Sequence, residues 1–403
     1  MQEPGTDRAI VAGQPAPTGL RPRHWIGRVT LSNFRNYQAA EIAAGPEPVV
    51  LVGQNGAGKT NLLEAVSLLA PGHGLRHAPY EELARDGGPG DWTVAALVHG
   101  PDRSIQIGTG LRTESRRPGR LVRIDGKAQG GPAALAGHVE IVWLTPAMDG
   151  LFAGPAGERR RFLDRLILCF DSGYAARLSR FERAMRQRNR LLEDGLHEHV
   201  RLTGLEIQMA ETGAAIAASR KEAVAALAAT LAERRMRDPA SPFPWAQLDL
   251  IGTIESELAE RPAVEVEDSY RQALEGSRER DRAAGRTLQG PHRSDLGVWH
   301  GPKGMPAKFC STGEQKALLM GLVLAHAELL AERRDRTAPI LLLDEVAAHL
   351  DARRRAALFA DILCFGIQVW MTGTDRATFE PLIGQALFAH VEDGRVVACD
   401  SPA

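Results

Sequence analysis

This sequence predicts an α/β fold with a mainly helical subdomain inserted into it, and three observations predict it. The run Val49-Val50-Leu51-Val52 is short, continuous and rich in β-branched residues, and a Gly-rich loop follows it. A second apolar run, Ile340-Leu341-Leu342-Leu343, lies far downstream. Between them, residues 156–235 are rich in Ala, Leu, Glu and Arg at helical spacing. Unbroken short apolar runs mark strands buried on both faces, as in a parallel sheet covered by helices.

The opening through Pro22 is rich in Pro and Gly and lacks a basic start followed by an apolar core. It predicts a disordered extension, or a start codon set too early, rather than a targeting signal. Folding begins near Trp25, where Ile26 to Leu31 alternates apolar with small or polar residues like a half-buried strand. After the Val49 run and its loop, Leu62, Leu63, Val66 and Leu69 share one helical face, and Pro71-Gly72 stops the helix. Short strands with turn signals fill Asp91 to Glu140, including Val122-Arg123-Ile124-Asp125-Gly126-Lys127, whose Asp-Gly is a hairpin signature. Helical spacing takes over after Pro155, with Phe162, Leu166 and Cys169 in one row and Leu163, Ile167 and Phe170 in another. Pro239, Pro242 and Pro244 end that stretch, and Leu248 to Ile251 again reads as strand. A turn at Gly290-Pro291-His292 precedes a helix rich in Leu and Ala from Gly313 to Leu330, which leads to the strand at Ile340. The predicted division is a body in two parts, residues 23–150 and 286–400, around a helical lobe at 151–285, with 1–22 outside it.

At 403 residues, with 44% hydrophobic and 25% charged residues, the chain matches neither a disordered nor a membrane protein. No apolar run approaches the roughly 18 residues of a membrane span. Cys169, Cys310, Cys364 and Cys399 form no CxxC pair and no zinc spacing, which fits a reducing cytosol and a cytoplasmic protein. A net charge of -1 gives no global pull toward nucleic acid, so any such surface rests on local segregation of charge. Gly157 to Arg190 supplies it, with ten arginines (Arg159, Arg160, Arg161, Arg165, Arg177, Arg180, Arg183, Arg186, Arg188, Arg190) against four acids.

Gly53-Gln54-Asn55-Gly56-Ala57-Gly58-Lys59-Thr60 is a complete phosphate-loop match, set between a predicted strand and a predicted helix. Glycines let the backbone N–H groups wrap phosphates at the positive end of the helix, Lys59 adds charge at the β- and γ-phosphates, and Thr60 can ligate Mg²⁺. ATP with Mg²⁺ is therefore the expected ligand. Pro339 to Leu343 is an apolar strand ending in Asp344-Glu345, in which Asp344 would hold Mg²⁺ and Glu345 would polarise the attacking water. Cys310-Ser311-Thr312-Gly313-Glu314-Gln315-Lys316 opens a predicted helix, where a Ser hydroxyl and a Gly backbone form either an anion site or an ordinary N-cap.

That last string resembles the ABC signature Leu-Ser-Gly-Gly-Gln, with Cys310 for Leu and Thr312 for the first Gly. Ala348-His349-Leu350-Asp351 resembles the D-loop, and Val369 to Asp375 the switch strand, with Thr372 where many relatives carry a histidine. About 250 residues separate phosphate loop and signature, and no sustained heptad fills the gap. The plan resembles an ABC/SMC-like P-loop ATPase head whose long arms are replaced by a short helical lobe. The RecF family has that plan, and the resemblance runs from about residue 25 onward. It is carried by Leu31-Ser32-Asn33-Phe34-Arg35-Asn36-Tyr37, Val122 to Gly126, Leu144-Thr145-Pro146, Gly154, Arg159 to Asp164, Gln187 to Leu192, and Gly290 to Leu296. It departs where Ala147-Met148 replaces the acid that usually follows the proline.

The resemblance implies a slow, DNA-dependent ATPase of recombinational repair and replication restart. Two copies would close on ATP, each nucleotide held between one subunit's Lys59 region and Ser311 and Gly313 of the other. It implies Arg35 and Asn36 against the adenine, and the Arg159 to Arg190 stretch on single-stranded, double-stranded or gapped DNA. It also implies RecO and RecR as partners in starting recombinase filaments, and no membrane partner. His292 and Arg293 would lie near the nucleotide or a subunit interface, or form an ordinary turn. An SMC-like chromosome-organising ATPase is the alternative, though it would require long coiled-coil arms. A related nuclease would need an acidic metal-binding domain, for which the chain leaves no room after Asp375.

Overall fold

The computed structural model describes residues 24–112, 119–195, 199–332, 339–347 and 350–400. The expected extension at 1–22, and Ala348 and His349 of the expected D-loop, lie outside the described residues. The chain opens with β1 (Trp25–Phe34) and β2 (Tyr37–Ala43), then β3 (Val49–Val52), the phosphate loop and α1 (Lys59–Ser67). β4 (Trp92–His99), β5 (Ser104–Leu111), β6 (Leu121–Ile124) and β7 (Lys127–Ala128) follow, and β8 (Ile141–Leu144) closes the first part. The middle holds α2 (Ala156–Leu168), α3 (Tyr174–Glu193), α4 (His199–Arg237), β9 (Ala246–Ile251), α5 (Thr253–Glu260), α6 (Ala263–Gly276) and α7 (Arg278–Ala283). β10 (Asp295–His300), β11 (Met305–Pro306), α8 (Thr312–Glu332), β12 (Ile340–Leu343), α9 (Ala352–Phe365), β13 (Val369–Gly373), β14 (Leu387–Glu392) and β15 (Arg395–Asp400) complete the order.

The central sheet runs β15-β14-β3-β13-β12-β8, parallel throughout except for β15, so it joins strands from both ends of the chain. Its unbroken apolar strands serve two cores at once. Val49, Leu51, Ile141, Trp143, Ile340 and Leu342 face α1 and the antiparallel sheet β2-β1-β4-β5-β6-β7. Val50, Val52, Val142, Leu144, Leu341 and Leu343 face α8 and the helical lobe. Alternate residues point to opposite faces, so only a strand covered on both sides is apolar at every position. Each such buried side chain contributes about 1.5–3 kcal/mol, which makes this sheet the rigid base of the phosphate loop. The Asp125-Gly126 hairpin forms as expected: Ile124 pairs with Lys127, and both turn residues have positive φ.

In the lobe, α4 is a single 39-residue helix, roughly 58 Å long at the usual rise. It packs on α3, α6 and α8 and so ties lobe to body. The expectation that the arginine stretch acts as a group on DNA is corrected here, because half of it is used inside the fold. Arg188 is fully buried, donating to Glu206 at 3.0 Å and Asp281 at 2.7 Å. Arg159 grips Asp295 with two bonds of 2.8 Å, Arg160 donates to the Ser294 carbonyl at 2.6 Å, and Arg177 pairs with Asp171. Arg165 stacks 4.4 Å over Trp143, and burial pushes its guanidinium down to about 10. Charged groups enter an apolar interior only when paired or stacked, and here such pairs join the helices of the lobe to one another and to β10. Arg161, Arg180, Arg183, Arg186 and Arg190 remain exposed.

Candidate functional site

The phosphate loop begins where β3 ends. Gly53 accepts no larger residue, since a Cβ there would meet the Val391 carbonyl at 2.1 Å. Gly58 has φ 118, and a Cβ would press Asn36 at 2.7 Å and the Tyr37 hydroxyl at 2.8 Å. Those neighbours brace the loop from the β1–β2 turn: Asn36 donates to the Ala57 carbonyl at 3.0 Å and Tyr37 to the Gly58 carbonyl at 2.9 Å. The two-residue turn that presents Arg35 and Asn36 places Arg35 at φ 54. Arg35 clasps Glu64 at 2.8 and 3.0 Å rather than standing free.

Lys59 is 3% exposed, and its ammonium donates back to the carbonyls of Gly53 (2.8 Å) and Gln54 (2.9 Å). Burial lowers its pKa from the ordinary lysine value, while Glu345 and Asp344 oppose that shift. A cation curled under the loop that the loop's own oxygens hold is poised for an anion lying above it. The Thr60 hydroxyl lies 2.9 and 3.1 Å from the two Asp344 oxygens, joining residues 284 apart in sequence. Asp344 is 5% exposed, and burial pushes its carboxyl above the usual range against the hydrogen bonds from Thr372 and Thr60. Beside it, Glu345 has φ 53, a left-handed backbone rare for a residue with a side chain. Thr372 accepts the Glu345 N–H at 2.8 Å and lies 2.9 Å from Asp344.

Loop, Lys59, Thr60, Asp344 and Glu345 thus meet at the ends of β3, β12 and β13. Positive φ at Gly56 and Gly58, an inward lysine and a hydroxyl–carboxylate pair suit a phosphate chain with a hard cation. Ser311 and Gly313 are different: both are exposed. Glu314 accepts the Ser311 N–H and hydroxyl at 3.0 Å each, and Lys303 pairs with Glu314 at 2.5 Å. Lys303 and the two Ser311 groups hold the Glu314 carboxyl down at about 2. Lys316, one turn further into α8, binds Asp149 of the loop after β8 at 2.7 Å.

Sequence reading missed two members of this site. Glu64 is fully buried in α1 and holds both Arg35 and Arg76, the latter at 3.0 Å. Arg76 also reaches Asn61 at 2.6 Å, and its charge opposes the burial-driven rise of the Asp344 pKa. A charged residue among the apolar positions of the helix after the phosphate loop was the available signal. His292 serves as a turn residue, its Nε2 3.0 Å from the Thr287 carbonyl, and burial lowers its pKa.

The model of the family described as RecF/RecN/SMC N terminal domain matches residues 25–381. A protein named DNA replication and repair protein RecF, from Mesorhizobium japonicum, is 54% identical over 371 residues, 92% of this chain and 97% of its own. Its namesake from Rhizobium johnstonii is 51% identical over 92% and 98% of the two chains. The fold is similar to a solved structure of the recombination mediator protein RecF-ATPrS in the RecFOR pathway, with TM-score 0.80 and 23% identity over 94% and 99%. The named relatives favour replication and repair over the chromosome-organising alternative. Among the described residues no helix is long and apolar enough to cross a membrane.

Proposed function

The chain belongs to the RecF family of DNA replication and repair proteins, with the ATPase head of the SMC superfamily, and we propose that it works as an ATP-closed dimer on DNA. The observation that carries this reading is the asymmetry of the site, a buried cradle at Lys59 and Asp344 and an exposed helix end at Ser311. Residues 53–60 wrap the triphosphate of ATP, Lys59 turns from the loop carbonyls to the β- and γ-phosphates, and Thr60 and Asp344 hold Mg²⁺. Mg²⁺, when bound, offsets charge on those phosphates. Arg35 and Asn36 flank the base, and Arg76 stands beside the phosphates. Glu345 orients and polarises the attacking water. Ser311 and Gly313 of a second copy complete the site once Glu314 has released the Ser311 N–H and hydroxyl, keeping its ion pair with Lys303, so closure follows ATP and opening follows slow hydrolysis.

The exposed arginines narrow the DNA surface. Arg183, Arg186 and Arg190 lie on the solvent face of α3, opposite buried Phe181, Ala184 and Leu191, with Arg161 and Arg180 nearby in sequence. Contacts from them to phosphates of single-stranded, duplex or gapped DNA would each steepen the salt dependence of binding by about one unit of slope. RecO and RecR are the partners family membership suggests, and the cytoplasm the compartment.

Gel filtration with ATP tests the reading, using a Glu345→Gln variant that binds ATP without turnover. A stable dimer that retains DNA is expected. A monomer indifferent to both ATP and DNA would defeat the proposal.

A further inference from the structure

Thr372 stands where, by resemblance, many related ATPase heads carry a histidine, and its one hydroxyl proton is committed. Parallel pairing of Leu343 with Met371 sets Thr372 beside Asp344, and Thr372 is 1% exposed. Its Oγ1 has two partners, the Glu345 N–H at 2.8 Å and Asp344 Oδ1 at 2.9 Å. A backbone N–H only donates and a carboxylate only accepts, so the direction of both bonds is set by chemistry: the hydroxyl accepts from Glu345 and gives its one proton to Asp344. No proton is left for a phosphate. The other residues of β13 around it, Val369, Trp370 and Met371, are buried and apolar. A valine would fill the same space there without placing a hydroxyl in the core, so the polar atom is retained for what it holds.

What it holds is the backbone of Glu345 in the left-handed region at φ 53. Such a conformation persists at a non-glycine residue only where its surroundings impose it. We propose that Thr372 is a positioning residue for ATP hydrolysis, which fixes Glu345 in its strained backbone and keys Asp344 against Thr60, and that it does not sense the γ-phosphate. This rests on Glu345 and Asp344 acting as assigned above. One hydroxyl thereby couples the cation-binding carboxylate to the backbone of the water-directing residue. The aim of Glu345 then depends on the position of Asp344.

The test uses the full chain with Thr372→Val, which keeps shape and removes the hydroxyl, and Thr372→Ser, which restores it. For Thr372→Val, kcat falls about tenfold or more, the loss expected from misplacing a catalytic carboxylate, while ATP affinity measured without Mg²⁺ is unchanged. ATP-driven dimerisation persists in Thr372→Val, and Thr372→Ser recovers most of the lost kcat. Should the valine variant fail to fold, Thr372→Cys keeps the size and weakens both bonds, and an intermediate kcat is expected. Wild-type kcat in Thr372→Val, or loss of ATP-driven dimerisation with kcat per dimer intact, overturns the proposal. If instead wild type fails to hydrolyse ATP, or Glu345→Gln turns over at the wild-type rate, the assignment of the site itself has failed.

Discussion

The cradle at Lys59 and the cap at Ser311 are built from similar parts, a Gly-containing turn at a helix start, yet the fold treats them oppositely. In the cradle the charged groups Lys59, Glu64 and Asp344 are buried and answered from within the chain: Lys59 by two carbonyls, Asp344 by Thr60, Glu64 by two arginines. At the cap, Ser311 is exposed, and its N–H and hydroxyl are answered by Glu314, a carboxylate three residues on. Buried groups left unpaired cost far more than exposed ones, so the cradle is preassembled whereas the cap can exchange its own carboxylate for another anion at little cost. One half is therefore suited to hold a ligand and the other to respond to it.

That contrast can be broken at its strongest point first. Lys59→Ala removes a preorganised charge from the cradle and should lower kcat/KM for ATP by about a hundredfold or more, read by phosphate release. Glu64→Gln tests whether the cradle is held rigid from within. Losing the carboxylate shared by Arg35 and Arg76 should lower stability by about 1–3 kcal/mol in urea unfolding, and a change below that range would mean that the pairs are surface decoration. Ser311→Ala acts on the other half. It should leave the monomer's affinity for ATP unchanged and weaken ATP-driven dimerisation about tenfold in sedimentation equilibrium, the loss of one charge-assisted hydrogen bond. If monomer affinity falls as well, the two halves are not separate.

The smallest effect sharpens the comparison. Glu314→Gln removes the competing carboxylate while keeping a capping side chain, and should tighten ATP-driven dimerisation a few-fold. The Glu314 carboxyl lies at about 2 in the folded chain, below its ordinary value of 4.5. A depressed carboxylate contributes stability above its ordinary pKa and loses it as pH falls through the folded value. The difference in thermal midpoint between wild type and Glu314→Gln should therefore narrow between about pH 4.5 and pH 2. Because Lys303 is exposed and Glu314 partly so, that difference is small and shrinks further in salt.

Much of the site was legible because its rules are short in range. Val49 to Val52 and Ile340 to Leu343 read as doubly buried strands, and they occupy adjacent places around β13 in the central sheet. The Gly53 to Thr60 loop lies between strand and helix as its spacing required. The arginines were not legible. Arg186 and Arg188 stand two residues apart in one helix, one solvated beside Glu182 and the other fully buried against Glu206 and Asp281. Charge and composition are equal at the two positions; only the packing of α3 against α4 and α7 separates them.

Sequence by itself determined the elements, the phosphate loop and the acidic end of its partner strand, since periodicity and turn chemistry act within a few residues. Tertiary structure alone decided that Thr60 meets Asp344 across 284 residues, that Thr372 meets the Asp344 carboxylate and the Glu345 backbone N–H, and that Glu64 gathers Arg35 and Arg76. The first two contacts depend on strand order in the central sheet. Strand order is settled by how two whole cores pack on its faces, which no local stretch of sequence encodes.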